Sequence, residues 1–272
     1  MAAQQNNGGG LVARYSLDRD IGARENQEDY VACVPVGEQA VDGSCRELIG
    51  VLSDGMGGHD GGEIASHVAV SAFLRLLKNG PGESTPSVAM LNAAQQANAA
   101  LMRRKQTERA ELSNMGCTLC AVWIREGRLY LLNVGDSYVF LLRDNRLYRL
   151  NNLHNHREDM HREALREGLN WAEVSQMESV VRYGARLTSY IGADVIAQAD
   201  CPTEPLALQG GDVIMLASDG VLTLADREIA EAMVRRNQDI ANCAGSVIDR
   251  VLAKRKNHQD NVSVLVIHID EN

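Results

Sequence analysis

An α+β layered domain is the fold class that the sequence predicts, on three observations. Strand-like segments dominate both ends and the middle of the chain. Helix-like segments come in two pairs, at about 63–105 and 226–254. No internal repeat and no Pro/Ser-rich linker divides the 272 residues. Helices segregated from strands suit packed layers better than an alternating βαβ repeat. The length allows one large domain or two small ones, with a sizeable core.

Leu11 to Leu17 and Tyr30 to Val36 read as strands on either side of the polar loop Arg24-Glu25-Asn26-Gln27-Glu28-Asp29. Glu47 to Ser53 is almost continuously apolar, as a strand buried on both faces should be. Glu63 to Lys78 carries helical periodicity through Ile64, Val68, Ala72 and Leu76. Thr85-Pro86 has the form of an N-cap followed by proline at the first helical position. The alanine-rich run Ser87 to Lys105 then predicts a long helix. From Cys117 the period switches to two, giving strands Cys117 to Ile124, Arg128 to Val134, Tyr138 to Leu142 and Arg146 to Leu150. Glu126-Gly127 and Asp144-Asn145 supply turns between them. Residues 152 to 180 are polar and His-rich, with helical stretches at Glu158–Glu167 and Trp171–Met177, and read as a surface excursion with few large apolar groups. Leu187 to Ile191 and Asp212 to Ala217 return to strand. Asp226 is expected to cap a helix running to Arg235, Gln238 to Lys254 forms another, and Val262 to Ile269 is the last strand.

Composition narrows the function classes. The hydrophobic fraction is 45% and the charged fraction 23%, as in ordinary globular proteins. Aromatics make up only 4% and the net charge is -9, which argues against a nucleic-acid or anionic-membrane partner. The six cysteines are scattered and are expected to be free thiols in a reducing compartment. Cys117-x-x-Cys120 lies inside a strand pattern with no second pair at zinc spacing, so it reads as structural. Residues 1–10 lack a basic region and an apolar run and are expected to form a disordered leader. No apolar stretch approaches the roughly 20 residues of a membrane helix. A cytoplasmic protein is the expectation.

The chemistry concentrates at three acidic positions. Ser53-Asp54-Gly55-Met56-Gly57-Gly58-His59 follows one apolar strand, and Ser218-Asp219-Gly220 follows another. Asp260-Asn261 precedes the last. If these strand ends meet, the carboxylates form a cage for hard divalent cations, which prefer oxygen donors. Gly55 would let the backbone approach closely and offer its carbonyl to an ion. The plainer reading of each Asp-Gly is a turn. The glycine run is not a Walker loop, because Gly-Lys-Ser/Thr is missing.

The ordered set Arg24…Glu28-Asp29, Ser53 to His59, Gly61-Gly62-Glu63-Ile64-Ala65-Ser66, Asn133-Val134-Gly135-Asp136-Ser137, Ala217 to Val221 and Asp260 to Val264 resembles the metal-dependent Ser/Thr protein phosphatases of the type-2C class, bacterial branch. The resemblance runs from about Arg14 to Ile269. It implies a four-layer α-β-β-α sandwich, with two antiparallel sheets flanked by helix pairs, and one catalytic domain over 11–270 with a mobile flap at about 152–180. It implies that Asp54 bridges two Mn2+ or Mg2+ ions, that Asp219 and Asp260 complete the first ion, and that Glu28 and the Gly55 carbonyl complete the second. Asp136, with Asp219, matches a weaker third position. Arg24 matches the arginine that grips the substrate phosphate. A water activated by the metals would attack phosphorus directly, and His59 is placed to protonate the leaving oxygen. Phosphorylated proteins made by a Ser/Thr kinase are the implied partners of a monomeric enzyme. Three stretches depart from the pattern: Tyr138 after Gly-Asp-Ser, Leu153-His154-Asn155-His156-Arg157, and Leu187-Thr188-Ser189-Tyr190-Ile191-Gly192. Two other classes compete with this reading, a non-catalytic phosphoprotein-binding module and a two-metal nuclease. A full acidic cage disfavours the first and the net charge the second.

Overall fold

The computed structural model describes residues 10–57, 61–78, 82, 84–107, 112–234 and 240–272. Two five-stranded antiparallel sheets form its centre. The first runs in the order β1 (Leu11–Asp20), β12 (Val262–Glu271), β11 (Val213–Ala217), β8 (Tyr138–Arg143) and β9 (Arg146–Arg149). The second runs β10 (Leu206–Ala207), β7 (Arg128–Val134), β6 (Leu119–Arg125), β3 (Leu48–Ser53) and β2 (Tyr30–Pro35). A two-stranded ribbon, β4 (Gly55–Met56) with β5 (Gly116–Cys117), continues beyond the ends of β3 and β6.

Alternation along the strands sorts side chains into three apolar layers. Between the sheets lie Leu48, Leu52, Val122 and Leu131 from one and Leu141, Ile214, Leu265 and Ile267 from the other. The outer face of the second sheet carries Leu119, Trp123 and Leu132, covered by Val70 and Phe73 of α1 (Gly61–Leu77) and Met90 and Leu101 of α2 (Pro86–Thr107). The outer face of the first sheet carries Met215, Val264 and Val266, covered by Ile229 and Met233 of α6 (Asp226–Met233) and Val247 and Val251 of α7 (Cys243–Ala253). The result is the α-β-β-α sandwich. Phe73 and Trp123 are wholly buried, and truncating either to alanine costs about 3–5 kcal/mol.

Turn chemistry matches the reading of the hairpins. Glu126-Gly127 (φ 52° and 69°) and Asp144-Asn145 (φ 51° and 59°) both adopt the doubly left-handed conformation that suits two-residue hairpin loops. Helix α2 begins at Pro86, with the Thr85 hydroxyl accepting from the Val88 N–H at 3.4 Å.

Other expectations are corrected. The strand expected over Cys117 to Ile124 is two strands, because Thr118 leaves the ladder to serve Asp54. Leu187 to Ile191 is no strand. It makes only isolated bridges, Leu187 to Asn155 and Ile191 to Cys117. Asp226 is the first residue of its helix and not the cap: the Glu228 carboxylate reaches back to the Ala225 N–H at 3.0 Å. The following helix starts at Cys243; Arg235, Gln238 and Asp239 lie outside the described residues. The excursion holds three helices, α3 (His156–Glu167), α4 (Trp171–Val174) and α5 (Glu178–Tyr183). It has a small core of its own, Ala164, Val174 and Val180 with Met160 and Trp171 packed on it. Leu165, Leu169 and Met177 lie outside that small core and are 66%, 50% and 49% exposed. Of the leader 1–10, only Gly10 is described.

Candidate metal centre

The centre is built from strand ends at one edge of the sandwich. Strand β3 ends at Ser53 and β6 begins at Leu119, so Asp54 and Thr118 face each other where both ladders break. The Thr118 hydroxyl accepts from the Asp54 N–H at 2.8 Å, and the Thr118 N–H donates to the Asp54 carbonyl at 2.8 Å. The Ser53 hydroxyl closes the corner by donating to the Thr118 carbonyl at 2.6 Å. The Thr118 and Ser137 hydroxyls are hydrogen-bonded at 2.7 Å, which ties the Asp54 corner to the Gly135-Asp136-Ser137 turn.

The second Ser-Asp-Gly is held differently. Ser218 bridges two partners: its hydroxyl donates to Asp29 Oδ2 at 2.7 Å and accepts from the Ser263 N–H at 3.0 Å. Asp219 then opens a short 3-10 turn, Asp219–Thr223. Both glycines are required by backbone crowding rather than by a left-handed turn. A Cβ on Gly55 would lie 2.1 Å from the Gly62 carbonyl, and one on Gly220 would lie 2.0 Å from the Asn261 carbonyl.

Asn261 organises the polar loop. Its side chain donates to the carbonyls of Ile21 (2.9 Å) and Asn26 (3.0 Å) and accepts from the Glu28 N–H at 2.8 Å. Glu28 is thereby set beside Gly55, whose N–H donates to the Glu28 carbonyl at 3.1 Å. Arg24 donates to Asp260 Oδ2 at 2.6 Å, with its side chain 58% exposed.

The carboxyl groups act on one another. Burial pushes Asp54 well above the ordinary aspartate range, and the charges of Asp29, Asp219, Asp136 and Asp260 push it further. Burial, then Asp136, Asp260 and Asp29, raise Asp219 to about 7, with Arg24 opposing. The Asp219 residue surface is nonetheless exposed, so its carboxyl is reachable from solvent. Glu28 is raised by burial and by Asp260, against the pull of Arg24 and the Gly62 N–H. Asp136 is raised by burial and held down by Asn155. Like charges gathered this way favour protonation, or the arrival of a cation.

Glu28, Asp54, Asp136, Asp219 and Asp260 thus share one electrostatic neighbourhood. Among the described residues, no three acidic, His or Cys side chains stand close enough to ligate one ion as they are placed. Asp260 is engaged by Arg24. The donor set, carboxylates with the Gly55 carbonyl, is that of Mg2+ or Mn2+. On that chemistry the residues fit two hard cations. His59 lies outside the described residues. His154, His156 and His161 do not converge: buried His154 accepts from the Gly135 N–H through Nδ1 at 3.1 Å, and His161 packs on Trp171. Cys117 and Cys120 are free and buried.

Sequence reading missed Asp29, Thr118 and Ser218 as organisers. Asp29 is 2% exposed, and burial raises its carboxyl to about 6 against the Ser218 and Ser263 hydroxyls. Its adjacency to Glu28, in a loop too polar for a buried charge, was the one available signal.

The family model described as Protein phosphatase 2C matches residues 23–255. The serine/threonine protein phosphatase PstP of Mycobacterium tuberculosis is 31% identical over 263 residues, 95% of this chain and 45% of that protein. The chain therefore spans less than half of that relative's length. The serine/threonine phosphatase stp of Listeria monocytogenes is 26% identical, over 83% of this chain and 86% of that protein. Among solved structures, the PstP catalytic domain in complex with two manganese ions superposes with a TM-score of 0.73 at 27% identity, covering 96% of this chain and 99% of that one.

Proposed function

Because the chain belongs to the protein phosphatase 2C family, we propose that it hydrolyses phosphoserine and phosphothreonine in proteins. The observation that carries this reading is the set of mutually raised carboxyl groups delivered by separate strand ends, with an arginine at its rim. Residues 11–270 act as one catalytic domain, and the excursion at 152–180 as a flap that contacts protein substrates. Asp54, Asp219, Asp260, Glu28 and the Gly55 carbonyl would hold two Mn2+ or Mg2+ ions, with Asp54 shared between them, and Asp136 with Asp219 would hold a third, weaker one. Such cations, when bound, acidify water and neutralise phosphate charge.

The chain's own groups do the rest. Arg24 spends one N–H on Asp260, and its planar fork has further donors for phosphate oxygens. Thr118 fixes the Asp54 backbone at both its N–H and its carbonyl, so the carboxylate is presented from a rigid corner. His59 delivers the proton to the departing serine or threonine oxygen. No helix among the described residues is long and apolar enough to cross a membrane. A cytoplasmic monomer acting in signalling, against the products of a Ser/Thr kinase, completes the proposal.

The test is hydrolysis of phosphothreonine, phosphoserine and phosphotyrosine peptides with and without Mn2+. Metal-dependent turnover of the first two, abolished by chelator, is expected. Equal turnover in chelator, or none in Mn2+, overturns the proposal.

A further inference from the structure

The stretch Leu153 to Arg157 departs from the family pattern and, together with Asn151 and Asn152 before it, is stapled to the turn that carries Asp136. Asn151 Oδ1 accepts from the Val139 N–H at 2.8 Å, and its Nδ2 donates to the Ser137 carbonyl at 2.9 Å. His154 meets Gly135 twice, accepting through Nδ1 at 3.1 Å and donating its N–H to the Gly135 carbonyl at 2.9 Å. Asn133 Nδ2 donates to the carbonyls of Gly135 (2.9 Å) and Asn152 (2.8 Å). These contacts fix the backbone of the turn, and the Asp136 carboxylate is met by one side-chain donor among the described residues.

That donor is Asn155, whose amide is divided between two tasks. Its oxygen accepts from the Glu158 N–H at 3.0 Å and caps helix α3, from an extended backbone (φ −135°, ψ 162°). Its nitrogen donates to Asp136 Oδ2 at 3.2 Å. A carboxylate has about four acceptor sites, so one donor on Oδ2 leaves Oδ1 and further lone pairs for a cation. Asn155 therefore sets where Asp136 points and at the same time holds the first turn of the excursion.

We propose that Asn155 is a positioning residue that couples cation binding at Asp136 to the order of helix α3. The proposal rests on the reading of Asp136 as a ligand of the weaker ion. Groups that orient a metal-binding side chain are worth about 10–100-fold in metal affinity. A cation that draws Asp136 into place keeps the Asn155 amide oriented, and the oriented amide oxygen keeps α3 capped. The coupling must run both ways, because linkage is reciprocal.

Asn155→Ser separates the two tasks. Serine is a good N-cap, but its hydroxyl lacks the reach of the amide. Two measurements decide the matter on the full chain: calorimetric Mn2+ titration, and amide hydrogen exchange of residues 156–167 with and without millimolar Mn2+. In the wild type, Mn2+ is expected to slow exchange in α3. In Asn155→Ser, the weak phase of the titration should lose about tenfold in affinity. The tight phase should hold, and Mn2+ should no longer slow exchange in α3. Asn155→Ala should weaken the same phase and also speed exchange at the start of α3, through the lost cap. An Asn155→Ser titration and Mn2+-dependent exchange like the wild type overturn the role of Asn155, while a weak phase still sensitive to Asp136→Ala leaves the Asp136 reading standing. A weak phase unchanged in Asp136→Ala overturns both.

Discussion

Ser53-Asp54-Gly55 and Ser218-Asp219-Gly220 are one tripeptide used twice, each at the end of a central strand, and their surroundings differ. At the first, the chain continues into strand β4, and the Asp54 backbone is bonded at both ends by Thr118. At the second, the chain turns into a 3-10 helix, and Asp219 stays open to solvent. The serines differ too. Ser53 serves a neighbouring carbonyl, whereas Ser218 donates to the buried Asp29 and satisfies the Ser263 N–H. A motif places a carboxylate; what faces it across the strand ends decides whether that carboxylate is enclosed and rigid or exposed and adjustable.

The sharpest break of this comparison is charge removal at the two corners. Asp54→Asn should lower turnover by more than about a hundredfold, above the upper range for losing a group that merely orients a ligand. Asp219→Asn should lose less and recover partly at high Mn2+. Equal losses with no metal rescue, in steady-state assays over a manganese series, would erase the distinction.

Arg24 tests the rim shared by both corners. Arg24→Ala removes a charge-assisted hydrogen bond worth roughly 1.5–3 kcal/mol, so kcat/KM should fall about ten- to a hundredfold, mainly through KM. Its exposed pairing with Asp260 implies a stability change within about 1 kcal/mol. An unchanged KM on every phosphopeptide would remove Arg24 from the phosphate.

The bridging hydroxyls separate the corners by stability. Thr118→Val strips the Asp54 N–H of its acceptor, and Ser218→Ala strips both Asp29 and Ser263. Each should cost about 1–3 kcal/mol in urea denaturation. Thr118→Val should in addition lower turnover, since it loosens the Asp54 corner. A Thr118→Val enzyme of wild-type stability would mean the corner is held by other means.

The smallest effect is in pH. Asp29 titrates at about 6 in the folded protein against an ordinary 3.8. A raised carboxyl favours folding when protonated, so that contribution is complete below about 4 and is lost as pH rises through about 6. In chelator, Asp29→Asn should therefore gain stability relative to the wild type between those limits. A stability difference that stays flat over that range refutes the shift.

Much of the architecture was legible because it is written in local period and turn chemistry. The hairpins at Glu126-Gly127 and Asp144-Asn145, the start of α2 at Pro86, and the apolar strands before Asp54 and Asp219 needed no long-range knowledge. Strands β4, β5 and β10 escaped because two residues carry no period. The excursion was read as poor in apolar contacts because Val174 and Val180 are spaced across separate short helices, and they meet only in the folded chain. Asp29, Thr118, Ser218 and Asn261 were missed as organisers for one reason. Each acts on a partner distant in sequence, as in the separation of Ser218 from Asp29 by 189 residues.

Strand β1 pairs with β12 along its full length, from Leu11 against Glu271 to Asp20 against Val262. The segment Gln259 to Asn261, just before β12, holds both the arginine loop and the Gly220 turn. Contacts between segments so far apart carry a large loop-closure entropy and slow folding. A chain emerging from the ribosome can assemble α1, α2 and most of the second sheet early, yet the acidic centre has no scaffold until its last strand is made. A nascent fragment lacking β12 therefore carries the acidic motifs without the pairing and the loop contacts that bring them together.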